Sequence, residues 1–505
     1  MNHWIILPIL LPALTAPLLA LAVRHDIVLA RTFSLTSSLL LLLLALGLLL
    51  AVSDGTILTY HLGDWPAPYG IVLALDRLSA LMLLLNALLG LLVLLYTMGG
   101  WDKRGLHFHP MFQFLLMGIN GAFLTGDLFN LFVFFEVLLI ASYGLMVHGG
   151  GALRLRSGVQ YVVINLIGSS IFLIAVGLIY SVTGTLNMAD LAIKVAAVQP
   201  GDQALLHTGA LLLLLVFCIK AALVPVQFWL PATYANAPAP IAALFAIMTK
   251  VGAYAIIRVY TLIFGGDAGA ESWMAASWLL PAALVTLALG AMGVLAARSL
   301  GQLVSFAVIA SMGTLLTAVA LFNPQAMSAA LYYLLHSTLA AGAMFLVVDL
   351  VVQRRAQHGD LLQAAPPFAQ LSLVAGAFFI AAIAMAGMPP LSGFIAKLQL
   401  LSSVRQADAA VWIWALVLTG SLLTIIGFAR AGSLLFWKSC AIAGELRPGR
   451  RSGTLPLVAL GLLFAALLLL TIAAGPINHY LQQTAAQLFA PQDYINTILG
   501  SAEAP

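Results

Sequence analysis

The sequence predicts an all-α polytopic membrane protein, and three observations carry that prediction. Hydrophobic residues make up 63% of the 505 and charged residues only 8%, with a mean hydropathy of +1.08, outside the range of soluble globular domains. Apolar runs of about 20 residues, each long enough to cross a bilayer core, recur along the chain. The segments between them are short and hold most of the basic residues.

Taken in order, the apolar runs place spans near 4–23, 31–52, 72–98, 110–126, 129–148, 162–182, 207–229, 240–263, 274–296, 302–322, 327–352, 370–402, 410–437 and 455–475, fourteen in all. The first run lacks the basic n-region and small-residue cleavage pattern of a signal peptide and reads as the first span. Between the second and third spans, residues 53–75 (SDGTILTYHLGDWPAPYGIVLAL) alternate apolar and polar positions around turn residues, which predicts a small outer hairpin. Residues 185–202 suit a short interfacial helix. The tail, 476–505, is too short for a further domain and shows no long lateral amphipathic helix.

The basic residues sort by loop. One alternate set holds Arg24, Arg31, Lys103, Arg104, Arg154, Arg156, Arg298, Arg354, Arg355, Lys438, Arg447, Arg450 and Arg451; the opposite set holds only Arg77, Lys194 and Arg405. By the positive-inside rule the first set is cytoplasmic and both termini lie outside.

Two spans carry breaks. In LLVFCIKAALVPVQFWLP, Lys220 is followed five residues on by Pro225; in AGMPPLSGFIAKLQLL, Pro389 and Pro390 precede Lys397. Proline removes a backbone donor, which at membrane depth is tolerated only where protein or water satisfies the freed groups. Spans seven and twelve cross in opposite directions, and paired broken helices of opposite orientation point to inverted repeats, here spans 4–8 and 9–13. The chain then divides into 1–109 (spans 1–3 with the hairpin), 110–265 and 266–440 (the two repeats), and 441–505 (span 14 and tail).

Charges inside spans cost roughly 3 kcal/mol or more each and mark ion paths. At about 1.5 Å per residue, Glu136 lies roughly 10 Å into its span, Lys250 roughly 15 Å, Lys220 about 20 Å and His336 about 14 Å, and Lys397 follows the second break. Five titratable groups on five helices form a row near the bilayer middle. A Glu and a Lys that pair and separate make a two-position switch, and histidine suits a link because its unperturbed pKa is about 6.5. Each has a structural alternative: a buried ion pair for Glu136 and Lys220, tethers for Lys250 and Lys397, a helix-packing hydrogen bond for His336. Asp127, in TGDLFNLFVFFE, caps the fifth span or attracts cations at the outer mouth. Asp76 and Asp349 read as end-of-span anchors, and Arg258 and Arg430 as side chains snorkelling from helix ends.

Other chemistries lack support. Cys218 and Cys440 have no disulfide, zinc or iron–sulfur spacing; one mid-span histidine does not make a haem site; there is no nucleotide-binding motif. No cofactor and no metal are expected. The +4 net charge lies in scattered loop residues, so no nucleic-acid partner is expected either. The energy source is an ion gradient or partner subunits.

Four stretches together, LFVFFEVLLIASYGLM around Glu136, CIKAALVPVQFWLPATYANAPAPIAALFAIMTKVGAYAIIR around Lys220 and Lys250, LLHSTLAAGAMF around His336 and MPPLSGFIAKLQLL around Lys397, resemble the antiporter-like subunits shared by respiratory complex I, membrane-bound hydrogenases and Mrp cation/proton antiporters. Within that superfamily HWIILPILLPALTAPL and SYGLM look most like the D-type subunits of the Mrp (Mnh/Pha) antiporters. The resemblance implies fourteen helices in two inverted five-helix repeats. It assigns Glu136 and Lys220 to the family's Glu–Lys pair, Lys250 to its central lysine, His336 to its connecting histidine and Lys397 to its terminal lysine. It further implies a bacterial inner-membrane complex with A-, B-, C-, E-, F- and G-type partner subunits that exchanges sodium, or potassium or lithium, for protons. The alternative is a proton-pumping subunit of a redox complex of the complex I or hydrogenase type. A solitary transporter for an organic solute lacks a recognition pocket.

Overall fold

Nineteen α-helices and one two-stranded hairpin make up the described residues, 3–442 and 453–500, of a computed structural model. In chain order these are α1 (Leu7–Leu21), α2 (Ile27–Ala51), β1 (Leu58–His61), β2 (Val72–Leu75), α3 (Arg77–Thr97), α4 (Phe108–Leu124), α5 (Leu128–Met146), α6 (Ala152–Thr183), α7 (Met188–Lys194), α8 (Gln203–Ala221), α9 (Trp229–Asn236), α10 (Ala239–Leu262), α11 (Ala276–Ala296), α12 (Leu300–Val319), α13 (Pro324–Arg355), α14 (Leu371–Ala386), α15 (Ser392–Ser403), α16 (Ala410–Gly432), α17 (Thr454–Ile472), α18 (Ala474–Leu488) and α19 (Gln492–Leu499). Arg447, Arg450 and Arg451 of the last basic loop lie outside the described residues.

Short polar side chains set where helices begin. Asp26 accepts from the Val28 and Leu29 amides, Asp76 forms a reciprocal capping box with Ser79, Asp127 accepts from the Asn130 amide at 2.8 Å, and Ser299 caps α12 through Gln302. Each satisfies donors that a helix start in an apolar medium cannot leave free. The expected hairpin is present: β1 and β2 pair antiparallel, Leu58 opposite Leu75 and His61 opposite Val72. It packs against the short turn His3–Ile5 and α19, while α7 also meets α19, so these elements share one face.

Eleven described helices are long and apolar enough to cross a membrane: α2, α3, α5, α6, α8, α10, α11, α12, α13, α16 and α17. The fourteen runs read from sequence also include α1, α4 and the α14–α15 pair, whose single helices are of 15, 17, 16 and 12 residues. Burial ranks the spans. The most apolar windows of α10 and α13 are 100% and 94% buried, against 33% for α2, α16 and α17, so α10 and α13 form the centre and the others face outward. Lys250 and His336 sit on those two central helices.

Close helix pairs rest on glycine. A Cβ at Gly118 of α4 would stand 2.6 Å from the Leu138 nitrogen of α5, and one at Gly121 would overlap the Phe134 ring. In α11 and α12, Gly290 would meet the Ala310 nitrogen at 2.4 Å and Gly293 the Phe306 ring. Small residues let backbones approach where no hydrophobic force separates helix from lipid.

Three readings need correction. Arg258 does not snorkel: it is 4% exposed and makes two contacts of 2.7 and 2.8 Å with the Asp76 carboxylate, because that buried anion on α3 offers a better partner than the interface. The seventh run does not continue to 229: α8 stops at Ala221, since Ala222 turns left-handed (φ 55°) and the residue before Pro225 disfavours helix. The sixth run starts ten residues early, at Ala152, where ALRLR is a helix-forming sequence with its arginines at the rim. Arg430 stays exposed at its helix end and donates to the Ala297 carbonyl at 2.9 Å.

Candidate proton-relay site

The five titratable side chains lie on five helices, and their hydrogen bonds divide them into two clusters with a lysine between. In the first, Glu136 of α5 is half-buried and accepts a hydrogen bond from Ser169 of α6. Lys220, in the last turn of α8, is 8% exposed and donates to Asn165 Oδ1 at 2.9 Å. Asn165 and Ser169 stand four residues apart on α6, hence on one face. Among the described residues no ion pair joins Glu136 to Lys220; the two remain within electrostatic reach, and the Phe135 ring lies 5.8 Å from the Lys220 nitrogen.

Beside Lys220 is a cavity of about 20 Å³ lined by Tyr161, Asn165, Trp229, Met248 and Val251 among others. A water needs roughly 10–15 Å³ of such volume, so the space suits a single water. Met248 and Val251 flank Lys250 on α10, which places the cavity on the side of Lys220 that faces the central helix. The helices are pressed together here: a Cβ at Gly252 would stand 2.6 Å from the Ala221 nitrogen.

Lys250 is fully buried, and among the described residues its Nζ has no hydrogen-bond partner. A buried polar group without a hydrogen bond is costly, and a lone ammonium far more so than a neutral one. In the second cluster His336, 2% exposed, bonds Ser392 Oγ through Nδ1 at 2.9 Å and meets the Ala384 carbonyl through Nε2 at 3.1 Å. Lys250 and Lys397 both lie within electrostatic reach of this ring. Lys397 of α15 donates to the Ala386 carbonyl and to Ser421 Oγ, each at 2.8 Å.

The two helix breaks supply these contacts. Ala386 ends α14, Ser392 opens α15, and Pro389 and Pro390 separate them, so the interruption exposes a carbonyl to Lys397 and brings a hydroxyl to His336. In the first cluster the segment holding Pro225 separates α8 from α9, whose Trp229 donates back to the Ile219 carbonyl at 3.1 Å. Asp127 stands apart from the row, 9% exposed, as the cap of α5. Sequence reasoning missed Asn165, Ser169, Ser392 and Ser421; an asparagine and a serine one turn apart inside a long apolar helix were the available signal.

Two adjoining cavities, of about 510 and 820 Å³, share Gln325, Ser402 and Ser403. The first also holds Ser328 of α13, two turns from His336, and Gln399 of α15. Open volume bordered by polar side chains therefore lies along the two helices that make the His336–Ser392 contact.

On the basic face, Asp102 accepts from Arg31 at 2.6 Å, and His109 stands 3.4 Å away. Burial would raise the Asp102 carboxyl, but bonds from His109 and Arg31 outweigh it and hold it near about 2. The Trp101 ring lies under Arg104, 3.7 Å from its centroid, and its indole N–H donates to Asp349 at 2.9 Å. Asp349 thus anchors the end of α13 at the basic face.

A family model described as NADH:quinone oxidoreductase/Mrp antiporter, TM matches residues 125–424. The chain is 41% identical to the probable K(+)/H(+) antiporter D-type subunit of Rhizobium meliloti, over 100% of this chain and 99% of that one. It is 39% identical to the Na(+)/H(+) antiporter D-type subunit of Bacillus subtilis, over 99% and 100%. Among solved structures it is similar to a chain of the Mrp complex from Dietzia sp., with a TM-score of 0.89 at 29% identity, covering 99% of this chain and 100% of that one.

Proposed function

Because the chain belongs to the NADH:quinone oxidoreductase/Mrp antiporter transmembrane family, and within it to the D-type antiporter subunits, we propose that it moves protons along Glu136, Lys220, Lys250, His336 and Lys397 as part of a complex exchanging a monovalent cation for protons. The two relatives at 41% and 39% identity, matched along their whole length, favour the antiporter over a redox pump: their names specify K(+)/H(+) and Na(+)/H(+) exchange.

The observation that carries the relay is Lys250. Its fully buried amine, with no hydrogen-bond partner among the described residues, lies between two hydrogen-bonded clusters, so a proton arriving there meets no group that would trap it. A structural tether would have a partner. Glu136 and Lys397, partly exposed at the two ends, are suited to pass protons to and from the surroundings.

Fourteen crossings in two inverted five-helix repeats accord with this reading. Gly118, Gly121, Phe134 and Leu138 make the α4–α5 contact, and Gly290, Gly293, Phe306 and Ala310 make that of α11 and α12, each following its counterpart by 172 residues. The caps Asp127 and Ser299 keep the same interval. We place the basic face in the bacterial cytoplasm, the membrane as the inner membrane, and the partners as the remaining A-, B-, C-, E-, F- and G-type subunits. The residue divisions 1–109, 110–265, 266–440 and 441–505 follow from the repeats, and Asp127 near the face opposite the basic one is suited to attract cations.

The test is cation-dependent dissipation of a proton gradient in everted vesicles from an antiporter-deficient host expressing the whole complex. Glu136→Ala and Lys220→Ala abolish exchange at matched complex abundance if the reading holds. Exchange that survives both changes, or wild-type activity that requires an electron donor, contradicts it.

A further inference from the structure

Asn165 stands between two of the titratable groups. Its amide is fixed at both ends: Nδ2 donates to the Tyr161 carbonyl one turn back at 2.8 Å, and Oδ1 accepts from Lys220 at 2.9 Å. Because the amide nitrogen is committed to the backbone, only the oxygen can face the lysine, and an oxygen acceptor favours the protonated ammonium over the free amine. The residue is 1% exposed, so no solvent competes for either bond. It also lines the water-sized cavity between Lys220 and α10, together with Lys220 and Tyr161.

We propose that Asn165 is a positioning residue for proton transfer, holding protonated Lys220 off Glu136 and aimed at the cavity between Lys220 and α10, the helix that carries Lys250. The inference rests on the relay reading above. Ser169 does the corresponding work for Glu136, whose carboxylate it engages while Asn165 engages the lysine, so one face of α6 keeps the acid and the amine in separate bonds. The elements around Lys220 carry Glu136 and Tyr143 on α5, Arg154, Arg156, Tyr161 and Tyr180 on α6, Lys250, Tyr254, Arg258 and Tyr260 on α10 and Tyr234 on α9, and His207 and Cys218 share α8 with it. Tyr161 is itself tied to Ser142 at 2.9 Å and the Tyr234 hydroxyl to the Phe245 carbonyl at 2.7 Å. Glu136 is the charge within electrostatic reach of the lysine. The step moves a proton alone, from the Lys220 ammonium through the cavity to the neutral Lys250 amine, leaving Lys220 neutral and Lys250 charged.

The experiment is the pH profile of cation/proton exchange in everted vesicles containing the whole complex, for wild type, Asn165→Asp, Asn165→Leu, Asn165→Gln and Lys220→Ala at matched abundance. Asn165→Asp places an anion on the lysine and shifts the profile to higher pH, with up to about a tenfold loss of rate on the acidic limb for a one-unit shift. Asn165→Leu removes the acceptor and shifts the profile to lower pH. Asn165→Gln, which keeps a neutral oxygen, stays near the wild-type profile. If Asp and Leu both lower the amplitude with the profile unmoved, Asn165 only packs α6 against α8 and the inference is overturned. If Lys220→Ala exchanges normally, the relay itself fails and takes the inference with it; an inactive Lys220→Ala with unmoved Asn165 profiles overturns the inference alone.

Discussion

Lys220 is bonded to Asn165, 2.9 Å from its amide oxygen, while Glu136 is bonded to Ser169 on the next turn of the same helix. The acid and the amine thus share a wall without sharing a bond. This separation suits the proposed two-position switch, in which each group exchanges its neutral partner for the other.

The His336 ring is held by close packing as well as by Ser392. A Cβ at Gly393 would stand 2.6 Å from His336 Nε2 and 2.7 Å from the Ala384 carbonyl. Gly393→Ala must therefore displace the ring or the backbone, and displacements near 1 Å in a transfer path cost up to about 100-fold. Exchange measured in vesicles should fall between about 10- and 100-fold with complex abundance unchanged.

Arg258 and Asp76 form a buried bidentate pair, and the Tyr494 ring of α19 lies 5.2 Å from the guanidinium. Breaking such a pair strands a buried charge at a cost of about 3–5 kcal/mol. Arg258→Met and Asp76→Asn should each lower the melting temperature of the detergent-solubilised complex. The double change should cost less than the two singles combined, because neither charge is then left alone.

These two residues also show what the sequence could and could not reveal. Lys220, Lys250, His336 and Lys397 were legible because a polar group inside an apolar run is costly, and the hairpin was legible from its turn residues and alternation. Arg258 was misread because its position near the end of an apolar run suits snorkelling, and its partner lies 182 residues away, a relationship only tertiary structure supplies. Asn165 and Ser169 escaped notice because neither is charged and their helix is apolar overall. The early end of α8 depends on a left-handed Ala222, a conformation that alanine itself does not advertise.

The Asp102 carboxyl, held near about 2 by His109 and Arg31 against the effect of burial, stabilises the folded state with a defined pH dependence. Its folded value lies below its unfolded value of roughly 3.9, so the contribution is complete above the unfolded value and disappears as pH falls through about 2. Asp102→Asn should cost roughly 2–3 kcal/mol near neutral pH through the lost charge-assisted bonds. Thermal unfolding of wild type and variant should differ at pH 7 and converge as the pH approaches 2.

The most direct test of the relay is Lys250→Leu in the assembled complex, with cation-dependent dissipation of a proton gradient measured in everted vesicles. Leucine replaces the amine with a side chain that the fully buried site accepts, so assembly should persist. The relay account predicts loss of exchange at wild-type complex abundance; exchange at the wild-type rate would show that protons do not pass through the centre of α10.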